Sequence, residues 1–324
     1  MSKMKQLVKL EGFGNIKMMD ADIPVPDQNG ILAKVHRSLI SRGSELFKRY
    51  VAEEKLPPSM MGYSDSGEIV SKGPESEEYR IGQRIMVQGP HAQFVTGGGS
   101  GKNRVYRLPD EIDYDAATFL PLASGGVAWS RATPITPGDT IVVQGQGLVG
   151  NLYSQAVRQR KPSKIITTDA YDFRLQISQK SGADETINVK DVDPVEAVMD
   201  LTDGKGADVV VECVGGFAGV DSFDQTMNMV KKDGTVHLIA LYQGEPLRLE
   251  SSLMMNKQLI GGYWNSPGGP SEKDLEDTAN MLNDGRINID PLVTHRFRWE
   301  QTPEAYHYLY NNPDESLGVI IEWD

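Results

Sequence analysis

The sequence predicts an α/β protein in two parts, an antiparallel barrel-type domain and a doubly wound parallel sheet. Three features predict it. Short β-like runs broken by Gly and Pro fill the chain to about Leu120, apolar runs alternate with amphipathic segments from near Pro121 to Gly262, and two β-like runs return after a loop rich in Gly and Pro. Short strands between turn residues favour antiparallel pairing, whereas strand–helix alternation favours parallel strands joined by helical crossovers.

In the first part the expected strands are Ile31 to Leu39, Gly67 to Ser71, Ile85 to Gln88 and Arg104 to Leu108, with little helix between them. Their β-branched residues suit a pleated, half-buried surface. Beyond Pro121 the strands are Thr140 to Gln144, Lys164 to Thr168, Thr186 to Val189, Asp208 to Cys213 and Thr235 to Ala240. These lack polar alternation, as expected where helices cover both faces of a sheet. The helices between them are Leu148 to Arg160, Phe173 to Gly182, Pro194 to Thr202 and Gly219 to Val230, several closing at or near a glycine. A helix over Glu272 to Leu282 and strands over Leu292 to Phe297 and Leu317 to Trp323 complete the chain.

Its 324 residues suffice for about two domains. Lys and Arg total 33 against 45 Asp and Glu, a formal charge of −12 that repels phosphate backbones and argues against a nucleic-acid partner. No stretch approaches the roughly 18 apolar residues that would span a bilayer. The lysines near the start precede no apolar segment, so the expectation is a cytoplasmic protein without a membrane partner. A single cysteine, Cys213, forms neither an internal disulfide nor a multi-thiolate metal site.

Gly145-Gln146-Gly147-Leu148-Val149-Gly150 fits GxGxxG, directly follows the apolar run TIVVQ, and opens a segment in which Leu148, Leu152, Ala156 and Val157 recur at helical spacing. The first glycine allows a tight turn, the second lets backbone approach a pyrophosphate, and the third permits close helix packing. The helix N-terminus then presents N–H donors to the anion. Asp169, nineteen residues after Gly150 at the end of the next strand, is placed to bind the ribose hydroxyls of NAD and to repel the 2′-phosphate of NADP. Arg174, five residues on, is of the type that receives that phosphate, but it falls in the following helix, so NAD is the expected cofactor. A second glycine cluster, Thr96 to Lys102, does not fit GxxxxGK[ST], which requires Gly at Thr96 and Ser or Thr at Asn103, and reads as a surface loop.

Taken with this order of domains, GYSDSGEIV (Gly62 to Val70), IGQRIMV (Ile81 to Val87), GADETIN (Gly182 to Asn188), GADVVVECVG (Gly206 to Gly215), KKDGTVHLIA (Lys231 to Ala240) and VTHRF (Val293 to Phe297) resemble the medium-chain dehydrogenase/reductase superfamily of zinc alcohol and polyol dehydrogenases. The resemblance covers nearly the whole chain. It implies a GroES-like barrel-type catalytic domain (residues 1–121 and 263–324) and a Rossmann dinucleotide-binding domain (residues 122–262). It implies that Gly145, Gly147, Leu148, Val149 and Gly150 form the pyrophosphate loop, that Asp169 and Arg174 stand at the adenosine ribose, and that Val214 and Leu241 pack near the nicotinamide. It also implies a homodimer or homotetramer, paired through an edge strand near Gln258 to Tyr263.

The family's metal positions do not match. Where it reads GxCGSD this chain has Ile40-Ser41-Arg42-Gly43-Ser44-Glu45, the histidine and glutamate of GHE are Tyr63 and Ser64, and the third ligand aligns with Ala123. A guanidinium, a phenol and a methyl group do not make the three-donor set of a catalytic zinc, and Arg42 stays cationic. The expectation is a zinc-independent member.

Hydride transfer to a carbonyl then needs organic groups at the developing alkoxide. The candidates are Arg42, Ser44, Glu45, Tyr63 and His91. Ser44 matches the family's proton-relay hydroxyl. Tyr63 replaces a ligand and is either a donor to the substrate oxygen or a wall of the pocket. His91 has a side chain that exchanges protons near neutrality, or it is structural. Glu45 is a catalytic carboxylate or an ion-pair partner of Arg42 or Lys48. Walls contributed by Trp129 and the Trp264 to Pro270 loop are expected but not oriented. The function expected is an NAD(H)-dependent, zinc-independent oxidoreductase acting on a small polar alcohol or its ketone, such as a polyol, cyclitol or sugar derivative. The alternatives are a reductase of activated C=C bonds or quinones, usually NADPH-dependent, and a dinucleotide-binding sensor without turnover.

Overall fold

A computed structural model describes residues 2–100, 103–241, 244–262 and 270–324. Trp264 to Gly269, Tyr263, Gly101 and Lys102, singled out above, lie outside the described residues. The chain divides into two compact units, one of Met1–Pro121, Ala279–Asn283 and Val293–Asp324, the other of Leu122–Thr278 and Asp284–Leu292.

The first unit is built on β sheet. Strands β1 (Lys3–Lys9) and β2 (Ile16–Asp22) form an antiparallel ribbon. A seven-stranded sheet contains β3 (Gly30–Ile40), β4 (Asp65–Lys72), β5 (Arg84–Val87), β6 (Phe94–Gly98), β7 (Val105–Arg107), β14 (Val293–Arg298) and β15 (Gly318–Glu322). Its order is β14-β15-β3-β4-β5-β7, with β6 also pairing β3, and all pairs but β14–β15 are antiparallel. Ile31, Ala33, Val35 and Ile40 of β3 enter the core with Ile69, Ile85, Val87 and Ile321. Gly67 in GYSDSGEIV is required by packing: a Cβ there would stand 1.9 Å from the Lys34 carbonyl oxygen. Between β3 and β4 the chain forms a π-helical stretch, Arg42–Tyr50, which the sequence pattern did not reveal.

The second unit holds a six-stranded, all-parallel sheet of β8 (Thr140–Gln144), β9 (Lys164–Asp169), β10 (Glu185–Asn188), β11 (Ala207–Glu212), β12 (Val230–Leu238) and β13 (Gln258–Gly261), in the order β10-β9-β8-β11-β12-β13. Helices α2 (Leu148–Arg158), α3 (Asp172–Lys180), α4 (Pro194–Leu201) and α5 (Ala218–Met229) make the crossovers. Val142, Ile166 and Val210 are completely buried, as their unbroken apolar runs require. Helix α1 (Tyr114–Ala132) was not expected, because it contains Pro121 and the pair Gly125-Gly126. Gly126 serves packing, since a Cβ would press within 3.2 Å of Leu152 backbone atoms in α2. The two remaining helices are α6 (Glu272–Asn283) and α7 (Thr302–Asn311). Among the described residues no helix is long and apolar enough to cross a membrane.

Candidate active site

In the second unit, the glycine motif follows β8 immediately and abuts the end of β11, where strand order reverses. Such a switch point is where doubly wound sheets bind ligands. The three glycines have separable reasons. Gly145 has φ of +81°, and a Cβ would stand 2.8 Å from Val214 Cγ2. Gly150 must lack a side chain because a Cβ would fall 1.9 Å from the Gly145 carbonyl oxygen. At Gly147, with φ of −65°, an added Cβ would meet nothing within 4 Å among the described residues beyond its chain neighbours. The fold itself does not require glycine there, whereas close approach of a ligand would. Gly147 caps α2 without a side-chain hydrogen bond, leaving the first-turn N–H groups for an anion.

Asp169 ends β9 and is nine-tenths buried. Its Oδ2 accepts the Gln146 N–H at 2.7 Å and its Oδ1 the Tyr171 N–H at 3.0 Å, so the carboxylate ties the glycine loop to the next strand. Arg174 Nη1 lies 3.7 Å from Asp169 Oδ2. The Arg174 guanidinium and the Lys190 ammonium both lie over the Tyr171 ring, at 4.7 and 4.4 Å from its centroid. Tyr171 and Lys190 were not identified from the sequence; only their nearness to Asp169 could have suggested them. Val214 lies against the glycine loop, and Leu241, three residues past β12, is exposed. These residues fit a dinucleotide: an open glycine position, an uncapped helix start and an acid at the ribose end of β9.

In the first unit, the five candidate side chains separate into a buried group and an accessible one. His91 and Glu45 are both 0 % exposed. His91 Nε2 donates to Glu45 Oε2 at 3.1 Å, and Nδ1 meets Ser38 Oγ at 2.8 Å. Ser38 Oγ accepts the Trp323 indole N–H at 2.9 Å, which leaves its own hydrogen for Nδ1. Glu45 also accepts the Ser41 N–H at 2.8 Å and the Tyr306 hydroxyl. Burial alone would raise the Glu45 pKa, but His91, Tyr306 and the Ser41 N–H outweigh it and hold the carboxyl below its ordinary value. Its partner is thus His91 rather than Arg42 or Lys48. Asp65 stands beside this pair, fully buried, with His91 Nδ1 4.0 Å from its Oδ1. Burial, then the charge of Glu45, push its pKa well above the ordinary range, only partly offset by the Gly89 N–H.

Arg42 donates to the Leu309 carbonyl in the last turn of α7, a favourable place for a cation. Ser44 and Tyr63 are half-buried. Ser44 Oγ donates to Ser41 Oγ at 2.9 Å, and the Tyr63 hydroxyl stands near both serine hydroxyls. Burial raises the Tyr63 pKa, with those two hydroxyls opposing the shift. Ser41, Asp65, Tyr306 and Trp323 were missed as participants, although Ser41 and Asp65 stand inside the two motifs that flagged the site.

The metal positions fail as a zinc site on their chemistry. Arg42 is a cation bound to a helix carbonyl, Tyr63 offers a phenol whose pKa burial raises, and Ala123 offers a methyl group, while Ser64 beside Tyr63 donates its hydroxyl to the Thr118 carbonyl. Among the described residues no three His, Cys, Asp or Glu side chains are grouped to hold a metal ion.

Comparison with known proteins agrees with the fold. The family described as zinc-binding dehydrogenase matches residues 149–283. Sorbitol dehydrogenase of Halalkalibacterium halodurans is 28% identical over 351 residues, covering 98% of this chain and 99% of its own. Among solved structures, a Sinorhizobium meliloti 1021 protein bound to NADP superposes with a TM-score of 0.86 at 21% identity, covering 100% of both chains. An Escherichia coli CFT073 alcohol dehydrogenase complexed with NADH does so with a TM-score of 0.83 at 16% identity, again over 100% of both chains. These matches support the resemblance to the medium-chain dehydrogenase/reductase superfamily.

Proposed function

We propose that this protein is an NAD(H)-dependent oxidoreductase that interconverts a small polar secondary alcohol, such as a polyol, cyclitol or sugar derivative, and its ketone, without zinc. The observation that carries the dinucleotide is Gly147, where an added Cβ would stand in open space among the described residues, followed by the acid at the end of β9. The polar substrate is supported by the hydroxyls of Ser44 and Tyr63 and by the relatedness to a sorbitol dehydrogenase. The cofactor, when bound, supplies or accepts the hydride. The chain's own residues hold its pyrophosphate on the α2 N–H groups, orient its ribose at Asp169, and hold a proton for the substrate oxygen. Zinc independence is supported by the donor chemistry of Arg42, Tyr63 and Ala123.

Hydride exchange from 4-deuterated NADH across a panel of hydroxyketones, with metal content measured on the same sample, tests this reading. Stereospecific exchange by metal-free protein is the expected result. Restoration of activity only by a stoichiometric divalent cation overturns zinc independence, and dinucleotide binding without exchange makes the protein a sensor. One observation favours a second reading: Arg174 and Lys190 about Tyr171 offer positive charge to a 2′-phosphate, which suits an NADPH-dependent ene or quinone reductase. At least tenfold tighter binding of NADPH than of NADH would select it. We further propose a homodimer or homotetramer joined at β13, an edge strand of its sheet, to be checked by light scattering.

A further inference from the structure

Of the five polar candidates in the first unit, three are committed. His91 has both ring nitrogens engaged and no access to solvent, Glu45 is equally enclosed, and Arg42 is held on the Leu309 carbonyl. Tyr63 and Ser44 are only partly buried as residues, and both stand beside Ser41. We propose that Tyr63 is the catalytic acid that takes the place of the metal, donating its phenolic proton to the substrate oxygen and being reprotonated through Ser44 and Ser41. This rests on the oxidoreductase reading above and assigns the group that performs its proton step.

The geometry supplies each requirement of such an acid. Ser41 and Ser44 form a hydroxyl pair in contact with the phenol, a path along which one proton moves in as another leaves. The charged groups facing the phenol are Glu45 and Arg49. The Arg49 guanidinium lies 6.0 Å from the Tyr63 ring centroid and is anchored on the Met60 carbonyl, where it favours the phenolate left after donation. Burial keeps the phenol protonated near neutrality, as a donor requires. Glu45, His91 and Tyr306 are positioning residues, since Glu45 fixes Ser41 through its backbone N–H.

In the reductive direction the carbonyl carbon receives the hydride with two electrons, the C=O π bond opens, and the oxygen takes the Tyr63 proton. The phenolate recovers a proton from water through the serine hydroxyls, so one ketone, one NADH and one proton become one alcohol and one NAD⁺. Oxidation runs the same path backwards, with the phenolate receiving the alcohol proton.

The test uses wild type, Tyr63→Phe and Ser44→Ala with NADH and a probe panel of dihydroxyacetone, acetoin and D-fructose. General acids contribute about 10²- to 10⁴-fold. We expect Tyr63→Phe to lower kcat by at least ~100-fold while leaving the NADH dissociation constant, read by fluorescence, within about twofold. Ser44→Ala should lower kcat by about tenfold. The readout apart from turnover is the phenolate absorbance at about 295 nm: the wild-type minus Tyr63→Phe titration should show a phenol ionising above the ordinary value of about 10. Loss of the Ser44 hydroxyl, which holds the phenol pKa down, should move a titration referenced in the same way further upward. Wild-type turnover with Tyr63→Phe within threefold of it, or a Tyr63 titration unmoved in Ser44→Ala, overturns the inference alone. Failure of the wild type to reduce any probe with NADH or NADPH overturns the oxidoreductase reading and the inference with it. Should Tyr63→Phe not fold, Ser44→Ala, whose side chain is only partly buried, decides by its kcat and by its own phenolate titration compared directly with that of wild type.

Discussion

Glu45 Oε2 and His91 Nε2 meet at 3.1 Å with both side chains entirely withdrawn from solvent. The contact joins the π-helical stretch after β3 to the segment before β6. Because Glu45 accepts three donors at once, removing it leaves an imidazole, a phenol and a backbone N–H without a buried acceptor. Breaking such a pair from one side costs on the order of 3–5 kcal/mol. Glu45→Ala is therefore expected to lose about that much in urea unfolding at pH 7, and Glu45→Gln, which keeps one acceptor oxygen, clearly less. The sign with pH follows from the lowered carboxyl pKa. The stabilisation is present above the unfolded carboxylate pKa and is lost as pH falls through the folded one, so the wild-type advantage over Glu45→Gln should shrink on acidification. An advantage that grows toward acid would refute the assignment.

The motif glycines should separate binding from folding. Gly147→Ala adds a methyl group to open space at an unstrained φ, so stability should stay within about 0.5 kcal/mol of wild type. Its dinucleotide affinity should fall at least about tenfold, as the methyl group occupies the approach to the pyrophosphate. Gly150→Ala places a Cβ against the Gly145 carbonyl and should instead cost several kcal/mol in denaturant unfolding. If NADH fluorescence titration shows Gly147→Ala binding as wild type does, the loop is not a pyrophosphate cradle.

Much of the architecture was legible because it is periodic. The five expected strands of the second unit all recur in its sheet, since Val and Ile runs between amphipathic helices leave one way to bury both faces. The stretch Arg42–Tyr50 and helix α1 were not, for different physical reasons. The former is polar and short, with its shape set by Glu45 reaching Ser41 and His91, contacts distant in sequence. The latter carries Pro121 and two adjacent glycines, which local propensity opposes and close packing on α2 rewards. At the site, Ser44, Tyr63, Glu45 and His91 were visible as residue types at motif positions. Their division into buried and accessible groups was not, because Tyr306 and Trp323, which complete the buried network, arrive from the far end of the chain.

Cofactor preference should respond to the two cations about Tyr171. Asp169 repels a 2′-phosphate, while Arg174 and Lys190 attract one. Lys190 is exposed, so Lys190→Ala should leave NADH binding unchanged and weaken NADPH binding about three- to fivefold, the worth of one solvent-screened charge contact. Asp169→Asn removes the repulsion and should raise the NADPH-to-NADH ratio of kcat/KM by about tenfold, with some loss of stability as the acceptor of two backbone N–H groups becomes neutral. A ratio that does not move in Asp169→Asn would mean that the carboxylate serves only to tie the glycine loop to β9.

Glu212 ends β11, the strand that abuts the glycine loop, and gives the fold a pH dependence that one substitution isolates. Its Oε1 accepts the Val214 N–H at 2.7 Å, but its buried Oε2 has no hydrogen-bond partner among the described residues. Burial pushes the carboxyl up to about 8, and the Val214 N–H and nearby Ser222 hydroxyl only partly offset it. An unfolded glutamate titrates near 4.3, so between there and the folded value the unfolded chain has lost a proton that the folded protein keeps. The contribution of Glu212 to stability is fully present below the unfolded pKa and declines as pH rises, by up to about 1.4 kcal/mol per pH unit. Glu212→Gln mimics the neutral carboxyl at every pH. Its stability relative to wild type should therefore improve steadily from pH 5 to pH 8 in urea unfolding. A difference that stays constant over that range would show that Glu212 ionises as an ordinary surface carboxyl does.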